Sequence, residues 1–302
     1  MDRQAFLKLA AGLAASAVAA PVLGQGGDAP RVLARRIPSS GEALPVIGCG
    51  TYVGFDVAPG APAYAQLPGV LARLFEAGAA VIDSSPMYGR AEQTAGELLA
   101  AHPGRGFVAT KVWTRGREAG IAQMEESMRL LRRARLDLMQ VHNLLDWRVH
   151  LATLRAWQAQ GRVRYVGVTH YTESAYAELE TVMRREKLDF VQVNHSIAEP
   201  AAARRILPLA AERGMAVIIN RPFGGGGLMR RLAGQPLPGW AAEIGATSWA
   251  QVLLKYVLAH PGATCAIPGT RRAEHMADNL RAGSGELPGP DFWRGRLSDI
   301  PV

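Results

Sequence analysis

The chain has 302 residues, 48% of them hydrophobic and 20% charged, and a formal net charge of +8. That balance supports a sizeable core and excludes disorder of the whole chain, and the length suits two average domains or one (β/α)8 barrel of about 250 residues. The excess positive charge is dispersed as the pairs Arg35-Arg36, Arg132-Arg133, Arg184-Arg185, Arg204-Arg205, Arg230-Arg231 and Arg271-Arg272. There is no long basic tract and no basic helix interleaved with aromatics, so nucleic acid is not an expected partner and most pairs read as solvated helix faces.

The first elements in chain order are not part of a fold. Residues 1–27 carry Arg3 and Lys8, then an alanine-rich apolar stretch from Leu9 to Leu23, with Ala17-Val18-Ala19 or Val22-Leu23-Gly24 as cleavage sites. This reads as a secretory signal peptide, too short for a comfortable membrane span. Arg3-Gln4-Ala5-Phe6-Leu7-Lys8 also resembles a twin-arginine signal whose second arginine is Gln4. The expectation is export to the periplasm through export machinery, with no stable membrane anchor after cleavage, and a cytoplasmic location if the signal does not function.

Next, ARRIPSSGEALPVIG (34–48) reads as a hairpin around Gly41 that caps the bottom of a barrel. Eight short apolar runs follow: VIGCGT (46–51), AVIDSS (80–85), FVATKV (107–112), LDLMQVH (136–142), RYVGVTH (164–170), FVQVNH (190–195), AVIINR (216–221) and TCAIPG (264–269). Segments with helical spacing separate them, for example Ile121 to Arg135 and Leu151 to Gln160. Strands alternating with helices imply a parallel sheet with right-handed crossovers. Eight such units fit a (β/α)8 TIM barrel over residues 31–290 better than an open Rossmann-type sheet, because no G-x-G-x-x-G follows any strand. Pro222 to Ile244 is the longest irregular stretch, and residues 291–302 read as a C-terminal tail. Cys49 and Cys265 lie inside apolar runs and no CxxC exists, so both are expected to be buried structural thiols.

Barrel enzymes place their chemistry at the C-terminal ends of strands. Those ends carry Asp83 with Tyr88 just beyond it, then Lys111, His142, Thr169 with His170, and Gln192 with Asn194. Singly these are ordinary: a strand-end aspartate is commonly a helix N-cap, Tyr-Gly a turn, a strand-end histidine a structural group. Together they form a device. An ammonium at Lys111 favours the phenolate and lowers the Tyr88 pKa, Asp83 supplies the counter-charge a buried lysine needs, and a neutral His142 donates to a carbonyl oxygen.

Seven stretches then fall into a recognisable order and spacing: LPVIGCGTY, the run Val81-Ile82-Asp83-Ser84-Ser85-Pro86-Met87-Tyr88-Gly89, TKV, LMQVH, GVTHY, VQVNHS and IPGTRRAEHMADN. Together they resemble the aldo/keto reductase family over roughly residues 35 to 285. The resemblance implies NAD(P)H-dependent carbonyl reduction without a metal, with Asp83, Tyr88, Lys111 and His142 as the catalytic tetrad. For the cofactor it implies contacts from Thr51, from Thr169, His170 and Gln192 at the nicotinamide amide, and from Arg221, Pro222 and Phe223, where the family's usual stacking tyrosine is replaced by Asn220. Gly224 to Gly227 resembles the flexible segment that folds across the pyrophosphate. Thr270, Arg271 and His275 fall where the family meets the adenosine 2′-phosphate, with Asn279 on the adenine side, and arginine's fork suits a phosphate dianion, which favours NADPH over NADH. Tyr52, Trp113 and Trp147 are expected around the substrate and suggest an apolar or aromatic aldehyde or ketone. HNLLDWRVHL, from His142, resembles a branch of the family that often carries export signals.

The leading reading is therefore an NADPH-dependent reductase of aldehydes or ketones with Tyr88 as general acid. Two others stand beside it. One is a nucleotide-sensing or regulatory protein on the same barrel with little turnover. The other is a metal-dependent barrel hydrolase using His142, His170 and His195, which a chelator would inactivate.

Overall fold

The computed structural model describes residues 31–302, so the expected signal segment 1–27 lies outside the described residues. An antiparallel hairpin comes first, β1 (Ala34–Arg36) with β2 (Ala43–Pro45), turned at Gly41, whose φ is 75°. All eight apolar runs then become strands: β3 (Cys49–Gly50), β4 (Val81–Asp83), β5 (Phe107–Val112), β6 (Leu136–His142), β7 (Val163–His170), β8 (Phe190–Asn194), β9 (Ala216–Asn220) and β10 (Cys265–Ala266). Each pairs in parallel with the next, and bridges between Ile47 and Ala266 and between Gly50 and Gly269 join the two edges. The result is a (β/α)8 barrel. Its first and last strands are short because the seam between them is held by these isolated bridges.

The helices that cover the sheet are α1 (Leu67–Glu76), α2 (Ala91–Leu99), α3 (Arg117–Leu130), α4 (Trp147–Ala159), α5 (Tyr176–Arg185), α6 (Ala201–Glu212), α7 (Gly227–Arg231), α8 (Trp249–Ala259), α9 (Ala273–Ala282) and α10 (Pro290–Trp293). Helices α3 and α4 each start four residues before the apolar spacing suggests. Helix α3 also stops at Leu130, because Arg132 takes a positive φ of 53°. Helix α4 starts at Trp147, directly after Asp146 in the left-handed region.

Successive side chains of a strand face opposite ways. Val81, Phe107, Leu138, Tyr165, Phe190 and Ile218 point inward and pack as one cluster with Ile37 and Leu44 of the hairpin, which closes the bottom. Their neighbours Ile82, Val108, Met139, Val166, Val191 and Val217 join the outer cluster under the helices. Two or four positions further along the same inward face come Asp83, Lys111, Gln140, His142, Thr169 and Gln192, all buried. The barrel is thus apolar at the bottom and polar at the top.

Two expectations are corrected. Pro222 to Ile244 is not structureless: it holds a 3-10 turn at Gly224–Gly226, α7, and a second 3-10 segment at Gly239–Ile244. The cause is its apolar content, since Leu228, Leu232, Trp240 and Ile244 are buried in a satellite cluster with Trp293 and Ile300 from residues 291–302. Arg35 is not on a solvated helix face. Its guanidinium donates to the carbonyls of Leu258 (2.7 Å) in the last turn of α8 and of His260 (3.0 Å) and Ala263 just beyond it. Both cysteines are buried and free. No helix among the described residues is long and apolar enough to cross a membrane.

Helices α2 and α3 touch through Gly96, where a Cβ would lie 2.0 Å from the Leu130 carbonyl oxygen. Gly96→Ala is expected to lower unfolding free energy by about 1–3 kcal/mol through overpacking. Urea denaturation checks this, and an unchanged midpoint would contradict the close approach.

Candidate active site

Asp83 ends β4 and Lys111 lies on the inward face of β5, so parallel pairing brings the two together at the top of the barrel. Their side chains are 3% and 0% exposed, and Lys111 Nζ stands 2.6 Å from Asp83 Oδ2. A buried pair survives only when its remaining hydrogen-bonding capacity is also met. Here Asp83 Oδ1 accepts from Gln192 Nε2 at 2.8 Å and from Gln140 Nε2 at 3.3 Å, while Lys111 also donates to the Ser84 carbonyl at 2.7 Å. Thr51 tightens the same corner: its N–H donates to the Asp83 carbonyl at 3.0 Å, and its hydroxyl lies 3.0 Å from that carbonyl and 2.9 Å from Ser84 Oγ. Burial alone would depress the Lys111 ammonium, but Asp83, helped by Tyr88 and Glu92, more than offsets it, and its pKa ends above the ordinary value.

Tyr88 hangs over this pair on the turn after β4, its backbone N–H donating to the Ser85 carbonyl at 3.0 Å. The ammonium of Lys111 lies 5.2 Å from the centre of its ring. The net pKa direction corrects the expectation. Burial pushes the Tyr88 hydroxyl above its ordinary range, and the pull of Lys111 downward is not enough to reverse it. The phenol therefore stays protonated. His142, at the end of β6, meets the Tyr88 ring edge-on at 6.2 Å. Burial, followed by the Lys111 ammonium and His170, pushes His142 down to about 3, so its imidazole is neutral at ordinary pH. Its Nδ1 is 3.1 Å from Ser85 Oγ.

An open rim surrounds this centre. Tyr52 is 66% exposed with its ring 5.0 Å from that of Tyr88, and Trp113 is 39% exposed with its ring 6.3 Å from His142. Gln123 of α3 fixes the Trp113 backbone on both sides, accepting from its N–H at 2.6 Å and donating to its carbonyl at 3.3 Å. Val53, Met87 and Tyr171 are further large apolar side chains left exposed on loops at the same end of the barrel. Trp147 does not join them. It is 6% exposed within the outer apolar cluster, with the Arg148 guanidinium 4.2 Å from its ring centre. Its place at the first turn of an amphipathic helix makes it core.

Thr169 donates to Gln192 Oε1 at 3.3 Å, so both are linked to the Asp83 network. His170 is half-buried, and its Nδ1 accepts from the backbone of Tyr171 at 3.0 Å and Thr172 at 3.3 Å. Arg221 takes a positive φ of 50°, with Glu199 3.7 Å from its Nε and Tyr171 5.8 Å below its guanidinium. Pro222 is buried, and Phe223 packs against both the outer and the satellite clusters. Glycines 224, 225 and 226 all take positive φ, a conformation their lack of a Cβ allows. Beyond β10, Thr270 Oγ1 accepts from the Arg272 N–H at 3.1 Å, Arg271, Arg272 and His275 are exposed, and Asn279 is buried. Among the described residues no group of three or more His, Cys, Asp or Glu could hold a metal ion, His142, His170 and His195 included.

The sequence reading missed Gln140, Ser85 and Glu92. The first two had a signal: Gln140 lies two residues before His142, and Ser85 two after Asp83, each on the same inward face. Glu92 had none. It opens α2 from outside the barrel, where it accepts from Thr110 and from Ser127 Oγ at 3.0 Å, and it ties β5 to α2 and α3. Burial pushes its carboxyl up.

Comparison with known proteins places this geometry in a class. The family profile described as Aldo/keto reductase family matches residues 46–294. The chain belongs to the aldo/keto reductase family. It is 26% identical over 184 residues to the uncharacterized oxidoreductase YcsN of Bacillus subtilis, covering 58% of this chain and 61% of that protein. It is 31% identical over 132 residues to pyridoxine 4-dehydrogenase of Escherichia coli, covering 44% of this chain and 43% of that one, so the match spans about half the length of these curated relatives. An aldo/keto reductase from Klebsiella pneumoniae, solved in complex with NADP and acetate, superposes with a TM-score of 0.73 at 25% identity, over 86% of this chain and 93% of that one.

Two stability effects follow. Asp83→Asn leaves the Lys111 ammonium buried without its counter-charge and is expected to cost about 3–5 kcal/mol in urea unfolding. The second concerns His142, whose folded pKa of about 3 lies below the value of about 6.5 in an unfolded chain. Between those values the unfolded chain takes up a proton that the folded chain refuses, so stability is complete above pH ~6.5 and is lost as pH falls toward ~3. His195, pushed down to about 4 mainly by burial, acts in the same sense. His142→Gln should therefore flatten the acid-side fall in unfolding free energy, and an unaltered slope would show that the ring ionises freely in the folded chain.

Proposed function

We propose that the protein reduces aldehyde or ketone carbonyls to alcohols with NADPH. The observation that carries this reading is the stack of three groups over one mouth: a protonated phenol at Tyr88, a buried ammonium 5.2 Å from its ring, and a neutral imidazole beside it. Such a set protonates a carbonyl oxygen. Tyr88 donates its proton to the oxygen as charge builds there. The Lys111 ammonium, held by Asp83, stabilises the phenolate that Tyr88 leaves behind. His142 donates a hydrogen bond to the same oxygen and holds it next to the phenol.

A nicotinamide cofactor, when bound, supplies the hydride that adds to the carbonyl carbon. The residues on the rim fit such a group. Arg271 and Arg272 are exposed beside the start of α9, and neither takes part in an ion pair among the described residues. Free guanidiniums at a helix N-terminus are suited to a phosphate dianion. Thr270, Arg271 and His275 would hold the 2′-phosphate and Asn279 the adenine side. Thr51, Thr169, His170 and Gln192 would face the nicotinamide end, with Arg221, Pro222 and Phe223 flanking it. The relative of known structure from Klebsiella pneumoniae holds NADP, which supports the same choice here. The exposed Tyr52 and Trp113 suit an apolar or aromatic carbonyl compound.

Tyr88→Phe tests the acid. Consumption of NADPH on a panel of aldehydes is expected to fall by about 10²- to 10⁴-fold, while NADPH binding followed by intrinsic fluorescence persists. Full activity in this variant would end the proposal, and tight NADPH binding without turnover in the wild type would turn it into a nucleotide sensor. Arg271→Ala is expected to weaken NADPH by about tenfold or more and to leave NADH nearly untouched, since a charge-assisted bond to the 2′-phosphate is lost in one case only.

A further inference from the structure

A neutral imidazole helps a carbonyl oxygen in only one of its two tautomers. With its proton on Nε2 it offers that nitrogen as a donor, and with its proton on Nδ1 it offers a lone pair instead. Burial keeps the His142 ring neutral, so protonating both nitrogens is not a way out at ordinary pH. Something in the protein has to choose.

Ser85 Oγ lies 3.1 Å from His142 Nδ1. Ser85 is fully closed off from solvent and His142 is 6% exposed. Among the described residues the serine hydroxyl has no other hydrogen-bond partner, while the carbonyl of the same residue is taken by the Tyr88 N–H. A buried hydroxyl with a single acceptor in reach donates to it. Were Nδ1–H to donate instead, the serine proton would be left buried and unpaired. The direction of the bond is therefore set: Ser85 O–H donates, and Nδ1 accepts. Nε2 makes no hydrogen bond among the described residues and is not sealed away as an orphaned atom, so it is the nitrogen left to face the mouth.

We propose that Ser85 is a positioning residue that holds His142 in its Nε2–H tautomer, with the donor aimed at the substrate oxygen. This rests on the carbonyl-reductase reading above. One short segment, Asp83 to Gly89, then supplies four groups: the Asp83 carboxylate, the Ser84 carbonyl that receives Lys111, the Ser85 hydroxyl that sets the imidazole, and the Tyr88 phenol. The Ser85 and Tyr88 side chains leave one turn, whose main chain is closed by the bond from the Tyr88 N–H to the Ser85 carbonyl.

The test is long-range 1H–15N correlation spectroscopy on the uniformly 15N-labelled full chain, with the His142 ring assigned by its loss in His142→Gln. The wild type is expected to carry its proton on Nε2, and Ser85→Thr, which keeps a hydroxyl, should preserve that pattern. In Ser85→Ala the proton should redistribute toward Nδ1 and kcat should fall by about tenfold or more with NADPH affinity unchanged. A wild-type ring protonated on Nδ1 would overturn the proposal. So would a Ser85→Ala variant that keeps both tautomer and turnover. Because the wild type answers first, a variant that fails to fold does not rescue the idea. Absence of carbonyl turnover in the wild type would sink the reductase reading alone, while the ring's tautomer would still decide this one.

Discussion

A lysine and an aspartate taken out of water at the mouth of a barrel set the terms for everything around them. Neither charge can stay there alone, and the Coulomb attraction at 2.6 Å does not by itself replace the lost hydration. The remaining valences must be met by neutral dipoles, and they are: two glutamine amides on one carboxylate oxygen and a backbone carbonyl on the ammonium. The glutamines come from β6 and β8 and the pair itself from β4 and β5, so the network pins four strands at their upper ends. The apolar lower half of the barrel has no such obligations, which is why Val81, Phe107, Leu138 and Phe190 can fill it simply by volume.

Burial and this one charged site together set the protonation of its two neighbours. The Lys111 ammonium works against protonation of His142, in the same direction as burial, so the imidazole is held firmly neutral. On Tyr88 it works against burial, and burial prevails, so the phenol is held protonated. Burial thus keeps one neighbour without a proton and the next with one, while the cation favours loss of the proton at both. The distinction comes from the sign of each group's charged form and requires no difference in the environment.

Much of this was legible in the amino-acid sequence, for a physical reason. A strand buried on both sides must be apolar, so a polar residue at its end is conspicuous, and Asp83, Lys111, His142 and Gln192 all stood out in that way. The eight runs also announced the barrel, because a closed parallel sheet offers no solvent-facing side on which to hide polar residues. What stayed hidden was of two kinds. Some partners, such as Gln140 and Ser85, followed the period-two rule but looked like incidental polar residues until register brought them against Asp83 and His142. Others depended on contacts far along the chain that no local pattern records. Glu92 reaches Thr110 and Ser127 from a different helix, Arg35 caps α8 more than 220 residues away in sequence, and Trp147 carried an aromatic signature that the pitch of α4 turned inward. The segment 222–244 looked irregular because its order is supplied from residues 291–302.

That last dependence bears on how the molecule is made. The indole N–H of Trp240 donates to Asp299 at 2.9 Å, and Trp293 and Ile300 complete the cluster that holds Leu228 and Leu232 in place. The barrel seam is similarly late, since Ile47 waits for Ala266 and Gly50 for Gly269. A chain emerging from the ribosome can lay down its first strands and helices in order, but it cannot close its sheet until residues 264–269 have left the exit tunnel, nor complete the cluster around segment 222–244 until Trp293 and Ile300 have followed. The polar mouth is therefore enclosed only once β10 has reached the first strand, and a chain interrupted before that carries Asp83, Tyr88, Lys111 and His142 without the enclosure that pairs the Lys111 ammonium with Asp83 and keeps Tyr88 and His142 neutral.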